Sequence, residues 1–377
     1  MKKALLLVLS VLLLAAAPPP QWTKVQLDRL MAWMTESGDE GIAGISAKVP
    51  LLRQLIASGD TVAVDAFATS AAEELLSDHI NGCCNRPLRT KWYIQNGLEG
   101  INPTDAVSAA LRDDTLDELF NRARQSHPVF LALQTAYAKE KDPVRRAALA
   151  ANMDRWRWMP RQLGGRYLIV NAATFEATLW EGQELVGRWE VVVGKLNTPT
   201  PIFAARVTGV TLNPWWEIPP SIAAESVVGL FARNPAEAAR QGYVRAGTRF
   251  RQRPGPNNTL GKMKLVMPNR FSVFLHDTPA KSLFGKDVRA FSHGCVRVGD
   301  ALGLATTLLG PGWDPASIDA VVATGATKTV SLQTPIPVYV AYFTAEPDGR
   351  GGVRYFPDLY QRDGGARAPA TGGQCGG

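Results

Sequence analysis

The sequence is short of both cysteine and histidine, with four of each in 377 residues. No two cysteines form a CxxC pair, and none stands at a metal-ligand spacing from His79, His127, His276 or His293. That argues against a structural zinc site. Two disulfides are allowed by count alone, but Cys83 and Cys84 are neighbours and Cys375 sits in a Gly-rich tail. A link between that pair and Cys375 has no support beyond the count. Missing too is any apolar run of the ~20 residues that a spanning helix needs. The longest, Ala4 to Ala17, has 14 apolar or small residues interrupted only by Ser10. Lys2 and Lys3 precede it and Ala15-Ala16-Ala17 closes it, the grammar of a secretory signal peptide. Pro18, Pro19 and Pro20 follow directly, a poor fit for cleavage, so a short uncleaved anchor is the alternative. The expected location is the periplasm or bacterial cell envelope.

What is present is an ordinary globular composition, 46% hydrophobic and 20% charged. Collagen-like, low-complexity and fully disordered chains are excluded, and the length allows two or three domains. The net charge of +7 and pI of about 9.3 invite a nucleic-acid reading. Export argues against it. The distribution is more telling, because residues 240 to 297 hold twelve basic and only two acidic residues.

Residues 21–158 read as an α-helical scaffold. Val25, Leu27, Leu30, Met31 and Met34 recur at helix-like spacing, as do Leu51, Leu52, Leu55 and Ile56. Asp142 before Pro143 marks a further helix start. His79 and His127 stand alone here and are expected as surface or satisfied core residues. The pattern then turns to strands: Arg166 to Asn171, Phe175 to Trp180, Glu190 to Val193, Val207 to Leu212, Phe271 to His276, Val330 to Leu332 and Val338 to Phe343. Ser221 to Gln241 reads as helical. Residues 241–268, rich in Gly, Pro, Asn and Arg, read as a long mobile loop. Residues 364–377 read as a flexible tail. The expected fold class is α+β: the helical scaffold, then a mainly β catalytic domain over 159–363 built as a mixed-sheet sandwich.

Chemistry is concentrated between Phe271 and Asp300. Two of the four histidines, His276 and His293, flank the one cysteine, Cys295, that sits in a small-residue turn. A cysteine nucleophile needs a base to form thiolate and a third group to orient that base. It also needs backbone donors for an oxyanion, and glycine lets the backbone approach. The segment offers each residue type, against the alternative of a buried cysteine with two unrelated histidines.

His276, followed after a mid-teens spacer by Ser292-His293-Gly294-Cys295-Val296-Arg297, resembles the active-site signature of the L,D-transpeptidases with a YkuD domain. The likeness extends to Val193-Gly194 with Thr198-Pro199-Thr200-Pro201. Asn213-Pro214-Trp215-Trp216, Ile218 to Ile222, Pro254 to Gly261 and His276 to Pro279 are similar to the larger YcbB-like branch. So are Asn152 to Trp158, Pro335 to Val338, and Asp358 with Tyr360 and Asp363. It covers about residues 125–363. That branch often carries a separate peptidoglycan-binding module, for which this length leaves little room.

The resemblance implies Cys295 as nucleophile and His276 as base, oriented by the backbone carbonyl of Asp277. It implies an oxyanion hole from the backbone N–H groups of His293, Gly294 and Cys295. Ser292 and Arg297 are implied as supporting and carboxylate-contacting residues. Trp215 and Trp216 are expected to wall the cleft, with core packing as the alternative for at least one. Residues 221–268 resemble a lid. No cofactor and no metal are expected. The implied partners are peptidoglycan stem peptides, as donor and acceptor, and cell-wall synthesis proteins. No nucleic acid is expected, and membrane contact only through the N-terminal segment. The implied reaction is 3–3 cross-linking of the cell wall. Alternatives are L,D-carboxypeptidase, D-amino-acid exchange, protein anchoring to peptidoglycan, or an inactive wall-binding protein.

Overall fold

A computed structural model describes residues 22–83, 89 and 91–363. The N-terminal segment 1–20, Cys84, Cys375 and the tail 364–377 lie outside the described residues.

Among the described residues eight α-helices come first: α1 (Lys24–Glu36), α2 (Ala43–Ser46), α3 (Val49–Ser58), α4 (Thr61–Asn81), α5 (Pro103–Asp113), α6 (Leu116–Ala123), α7 (Pro128–Lys139) and α8 (Pro143–Arg157). Their starts follow local chemistry. Thr23 and Gln26 form a reciprocal capping box on α1. Asp60, Asn102 and Asp142 each accept an orphan N–H of the first turn. Helices α1 to α6 share one core, around Leu30, Leu52, Leu75 and Phe120. Helices α7 and α8 turn Phe130, Leu133, Leu149, Met153 and Trp156 into the core of the sheet that follows. By packing, the two cores therefore divide between α6 and α7, upstream of residue 158. Between them lies a buried polar seam. Arg124 reaches Glu40 at 2.5 Å, and Arg157 reaches Asp154 at 3.0 Å.

One strand falls inside the helical half. β1 (Trp92–Tyr93) lies parallel to β5 (Ile202–Leu212). The main sheet continues with β2 (Arg166–Asn171), β3 (Glu176–Glu181) and β4 (Glu184–Gly194), an antiparallel meander. A second small sheet is antiparallel, from β6 (Trp216–Ile218), β7 (Tyr243–Ala246) and β8 (Arg249–Gln252). Back in the main sheet are β9 (Met263–Val266), β10 (Leu275–His276), β11 (Ala290–Ser292), β12 (Val296–Val298) and β13 (Lys328–Ala341). β14 (Ala345–Pro347) and β15 (Val353–Tyr355) form a terminal hairpin. The main sheet is mixed, because β13 runs parallel to β2 and antiparallel to β5. β9 pairs with both β10 and β5, which closes the strand circuit. The expected mixed-sheet architecture is present, its edges joined.

Four expected features differ. Residues 241–268 are not one long loop. They hold β7, β8 and β9, and the apparent loop chemistry of Asn and Gln serves to fix them. Asn258 donates to the carbonyls of Pro214, Gln252 and Arg253, and Gln252 donates to those of Gln241 and Asn257. The capping segment is also bounded differently from 221–268. Its sheet starts at Trp216, and β9 belongs to the main sheet. Phe271 to Phe274 are not strand. Ser272 takes a left-handed φ of 53°, and the Asn269 side chain ties down Phe271 and Val273. Only Leu275 and His276 enter the ladder. Val330 and Val338, expected in separate strands, share the long β13, whose pairing shifts register between Ser331 and Ile336.

Candidate active site

The strand register assembles the site. Arg297 of β12 is paired with His276 of β10, His276 with Lys264 of β9, and Lys264 with Thr211 of β5. Directly opposed residues share a face of a sheet, and alternate residues along one strand share it too. Cys295 immediately precedes β12 and stands two residues before Arg297. Phe274 stands two before His276. Cys295, Arg297, His276, Phe274 and Lys264 are therefore on one face. The intervening residues Leu275, Val296 and Leu265 are buried in the core on the other. A period-two alternation thus splits packing from chemistry.

His276 is almost fully buried. Its Nδ1 lies 2.5 Å from the carbonyl oxygen of Asp277. A carbonyl only accepts, so Nδ1 carries the proton and Nε2 is left with a lone pair. Burial pushes the imidazole down to about 4, against the opposing pull of the Asp277 carbonyl. Burial also raises the Cys295 thiol, opposed by the Phe274 N–H and by Arg297 and Lys264. A buried site penalises both charges, so the resting pair is a neutral thiol and a neutral imidazole.

The Asp277 carboxylate is used for scaffolding. It accepts the backbone N–H of Lys262 at 2.8 Å and the Lys281 ammonium at 2.6 Å. Gly261 lies against it. A Cβ there would come within 2.3 Å of the carboxylate oxygen, and φ is +61°. That packing locks the peptide whose carbonyl orients His276.

The Ser292-His293-Gly294-Cys295 turn is pinned from both sides. Ser292 Oγ donates to the Cys295 carbonyl at 2.5 Å and accepts from Gly294 N–H at 3.0 Å. Thr200 Oγ1 donates to the Gly294 carbonyl at 2.9 Å and accepts from Gly194 N–H at 2.8 Å. Tyr360 Oη donates to the Gly194 carbonyl. Gly294 has a φ of +114°, where any side chain would be strained. Its N–H, expected in the oxyanion hole, is instead spent on Ser292, because the turn folds that hydroxyl back over it. His293 faces away from His276's partner network: its Nε2 lies 3.0 Å from Glu225 of the capping segment and 3.3 Å from Lys195.

Trp216 is buried in a small core of the capping segment with Ile218, Ala223, Val227 and Leu260. It is a packing residue rather than a cleft wall. Trp215 is half-buried under the Arg251 guanidinium, 4.5 Å from the ring. Sequence reasoning missed Lys264 and the pinning roles of Thr200 and Tyr360. No motif marked Lys264, since its relevance comes only from sheet register. His127 is a satisfied core residue: its Nε2 meets Tyr167 Oη at 2.9 Å and its Nδ1 caps α7. His79 is buried with neither ring nitrogen hydrogen-bonded. Among the described residues no group of acidic, histidine or cysteine side chains could hold a metal ion.

A profile of the L,D-transpeptidase catalytic domain family, YkuD, matches residues 165–342. This segment is an L,D-transpeptidase catalytic domain. It contains all nine residues proposed for the site, from Trp215 to Arg297, whereas Tyr360 and the helices α1 to α8 lie outside it. A Haemophilus influenzae protein, provisionally named an L,D-transpeptidase, is 27% identical over 293 residues, 72% of this chain. The alignment spans only 58% of that relative's length. An L,D-transpeptidase of Mycobacterium smegmatis is similar in structure over 47% of this chain and 58% of its own, at 14% identity and a TM-score of 0.25. L,D-transpeptidase 3 of Mycobacterium tuberculosis, in complex with a faropenem-derived adduct, matches over 47% of this chain and 60% of its own, at 14% identity and a TM-score of 0.27.

Proposed function

We propose that the L,D-transpeptidase domain cross-links peptidoglycan through an acyl-enzyme on Cys295. The observation that carries this reading is the orientation of His276. Its Nδ1–H is committed to the Asp277 carbonyl, which leaves Nε2 as the basic nitrogen on the face shared with Cys295.

The Cys295 thiol gives its proton to His276 Nε2. The sulfur attacks the carbonyl that joins the L-centre of diaminopimelate to the terminal D-Ala of a stem tetrapeptide. The negative charge that develops on the carbonyl oxygen is held by the N–H groups of His293 and Cys295. As the tetrahedral species collapses, the C–N bond breaks and the His276 imidazolium protonates the departing D-Ala amine. A side-chain amine of a second diaminopimelate then attacks the thioester and yields its proton to His276. The sulfur leaves and takes that proton back from His276, and a 3–3 cross-link has formed. Covalent catalysis of this kind divides one hard acyl transfer into two easier ones. Arg297 contacts a substrate carboxylate. The basic excess of residues 240–297 steers acidic stem peptides to the cleft. The N-terminal segment directs the chain to the periplasm.

Intact-mass analysis after incubation with a carbapenem tests the reading. Wild type gains one adduct, Cys295→Ala gains none, His276→Ala gains none, and His293→Ala retains partial labelling. No adduct on wild type, or an adduct that persists in Cys295→Ala, contradicts the assignment.

A further inference from the structure

Most cations around the site are committed. Lys281 is held by Asp277 and by the carbonyl of Gly299, Arg289 by Glu190 and three carbonyls, and Lys195 lies against His293. Two are not: Arg297, which the proposed function gives to a substrate carboxylate, and Lys264. Lys264 is half-buried, and among the described residues its ammonium has neither an ion pair nor a hydrogen bond. A partly desolvated charge without a partner costs free energy unless something nearby needs it.

Its place in the sheet says what that is. Lys264 opposes His276 across β9 and β10. Its ammonium does not stay level with the imidazole. It lies over the ring of Phe274, 5.1 Å from the centroid, displaced one pleat towards the row that holds Cys295. The Cys295 sulfur lies 3.9 Å from the Ser272 carbonyl, and the Phe274 carbonyl accepts from Val296 N–H, the residue after Cys295, at 3.1 Å. The ring that steadies the ammonium thus belongs to the residue that lines the nucleophile.

We infer that Lys264 is the electrostatic partner of the Cys295 thiolate, a positioning residue that sets the pH at which the nucleophile loses its proton. The S–H bond breaks, the proton passes to His276 Nε2 or to water, and the electron pair left on sulfur faces the Lys264 ammonium. The other charged groups around the sulfur are accounted for. Arg297 lies on β12, His276 on β10, and Asp277 is turned to Lys262 and Lys281. His293 is turned to Glu225 and Lys195. Lys264 and Arg297 both oppose the burial that otherwise raises the thiol.

This inference rests on Cys295 as nucleophile, and its first readout needs no peptidoglycan activity. The full chain is alkylated with iodoacetamide across a pH series, and carboxamidomethylation of the Cys295 peptide is followed by mass spectrometry, apart from Cys83, Cys84 and Cys375. Lys264→Met is expected to move the midpoint up by about one pH unit and to slow labelling at pH 7 about tenfold. Lys264→Arg is expected to restore the wild-type profile. If Lys264→Met fails to give a native circular dichroism spectrum, Lys264→Gln takes its place with the same expectation. An unshifted midpoint overturns the inference, and if KM for the stem peptide rises with it, Lys264 binds substrate instead. A shift that Arg does not restore also overturns it. Full activity of Cys295→Ala would instead overturn the proposed function, whatever the alkylation profile.

Discussion

The hydroxyl of Thr200 donates to the carbonyl oxygen of Gly294 at 2.9 Å. Through this bond, a turn before β5 holds the backbone of the Ser292–Cys295 turn, 94 residues further along the chain. The same hydroxyl accepts from Gly194, so one side chain ties the end of β4 to the turn that presents Cys295.

Thr200→Val removes both bonds while keeping shape. The buried Gly194 N–H and Gly294 carbonyl are left without that partner. The expected loss is about 2 kcal/mol of unfolding free energy, with carbapenem acylation slowed about tenfold as the turn loosens. Urea unfolding and a stopped-flow acylation trace measure the two. Unchanged acylation would mean that Ser292 alone positions the turn.

The acid limb of acylation reports the base. His276 is held down to about 4, so Nε2 keeps its lone pair until pH falls through that value. Acylation is therefore expected to lose its rate near pH 4, not near the ordinary histidine value of about 6.5. A limb near 6.5 would show that the titrating group is another histidine or an imidazole that is open to water.

Stability follows pH with the same sign. His127 is held down to about 3 by burial, and His276 to about 4. The unfolded chain takes up protons at these positions as pH falls below about 6.5, while the folded chain does not. Stability is thus complete above about 6.5 and is lost progressively as pH falls towards 4 and 3. Thermal unfolding between pH 7 and 4 checks this. His127→Gln, which cannot titrate, is expected to flatten the dependence; an equally steep slope in the variant would remove His127 from the account.

Trp216 separates packing from contact. As a core residue of the capping segment, Trp216→Ala is expected to cost that segment about 3 kcal/mol or more and to raise its proteolytic sensitivity. Limited proteolysis with mapped cut sites between residues 220 and 255 reads the effect. A raised KM with unchanged proteolysis would return Trp216 to the cleft wall.

Much of this was legible in the sequence, for physical reasons that differ from place to place. Arg166 to Asn171 and Phe175 to Trp180 were readable as strands because β-branched and aromatic residues fill a pleated surface. Asp142-Pro143 was readable because a cap and a pre-set φ are local. Cys295 and His276 stood out as a motif. Residues 241–268 misled because Gly, Pro and Asn mark turns, and here tight turns separate strands that are fixed by Asn258 and Gln252 over longer range. Phe271 to Phe274 looked like strand by composition, yet the left-handed Ser272 and the Asn269 side chain kept them out of the ladder. Lys264 was invisible for a related reason: strand pairing is a long-range choice, and only the register β9 to β10 puts it beside His276.

The most direct measurement is the muropeptide profile of purified sacculi incubated with the wild-type chain and with Cys295→Ala. New diaminopimelate–diaminopimelate dimers with wild type and none with Cys295→Ala are the predicted result. Tripeptide products without dimers would contradict cross-linking and make the chain an L,D-carboxypeptidase; dimers formed equally by Cys295→Ala would contradict the cysteine acyl-enzyme itself.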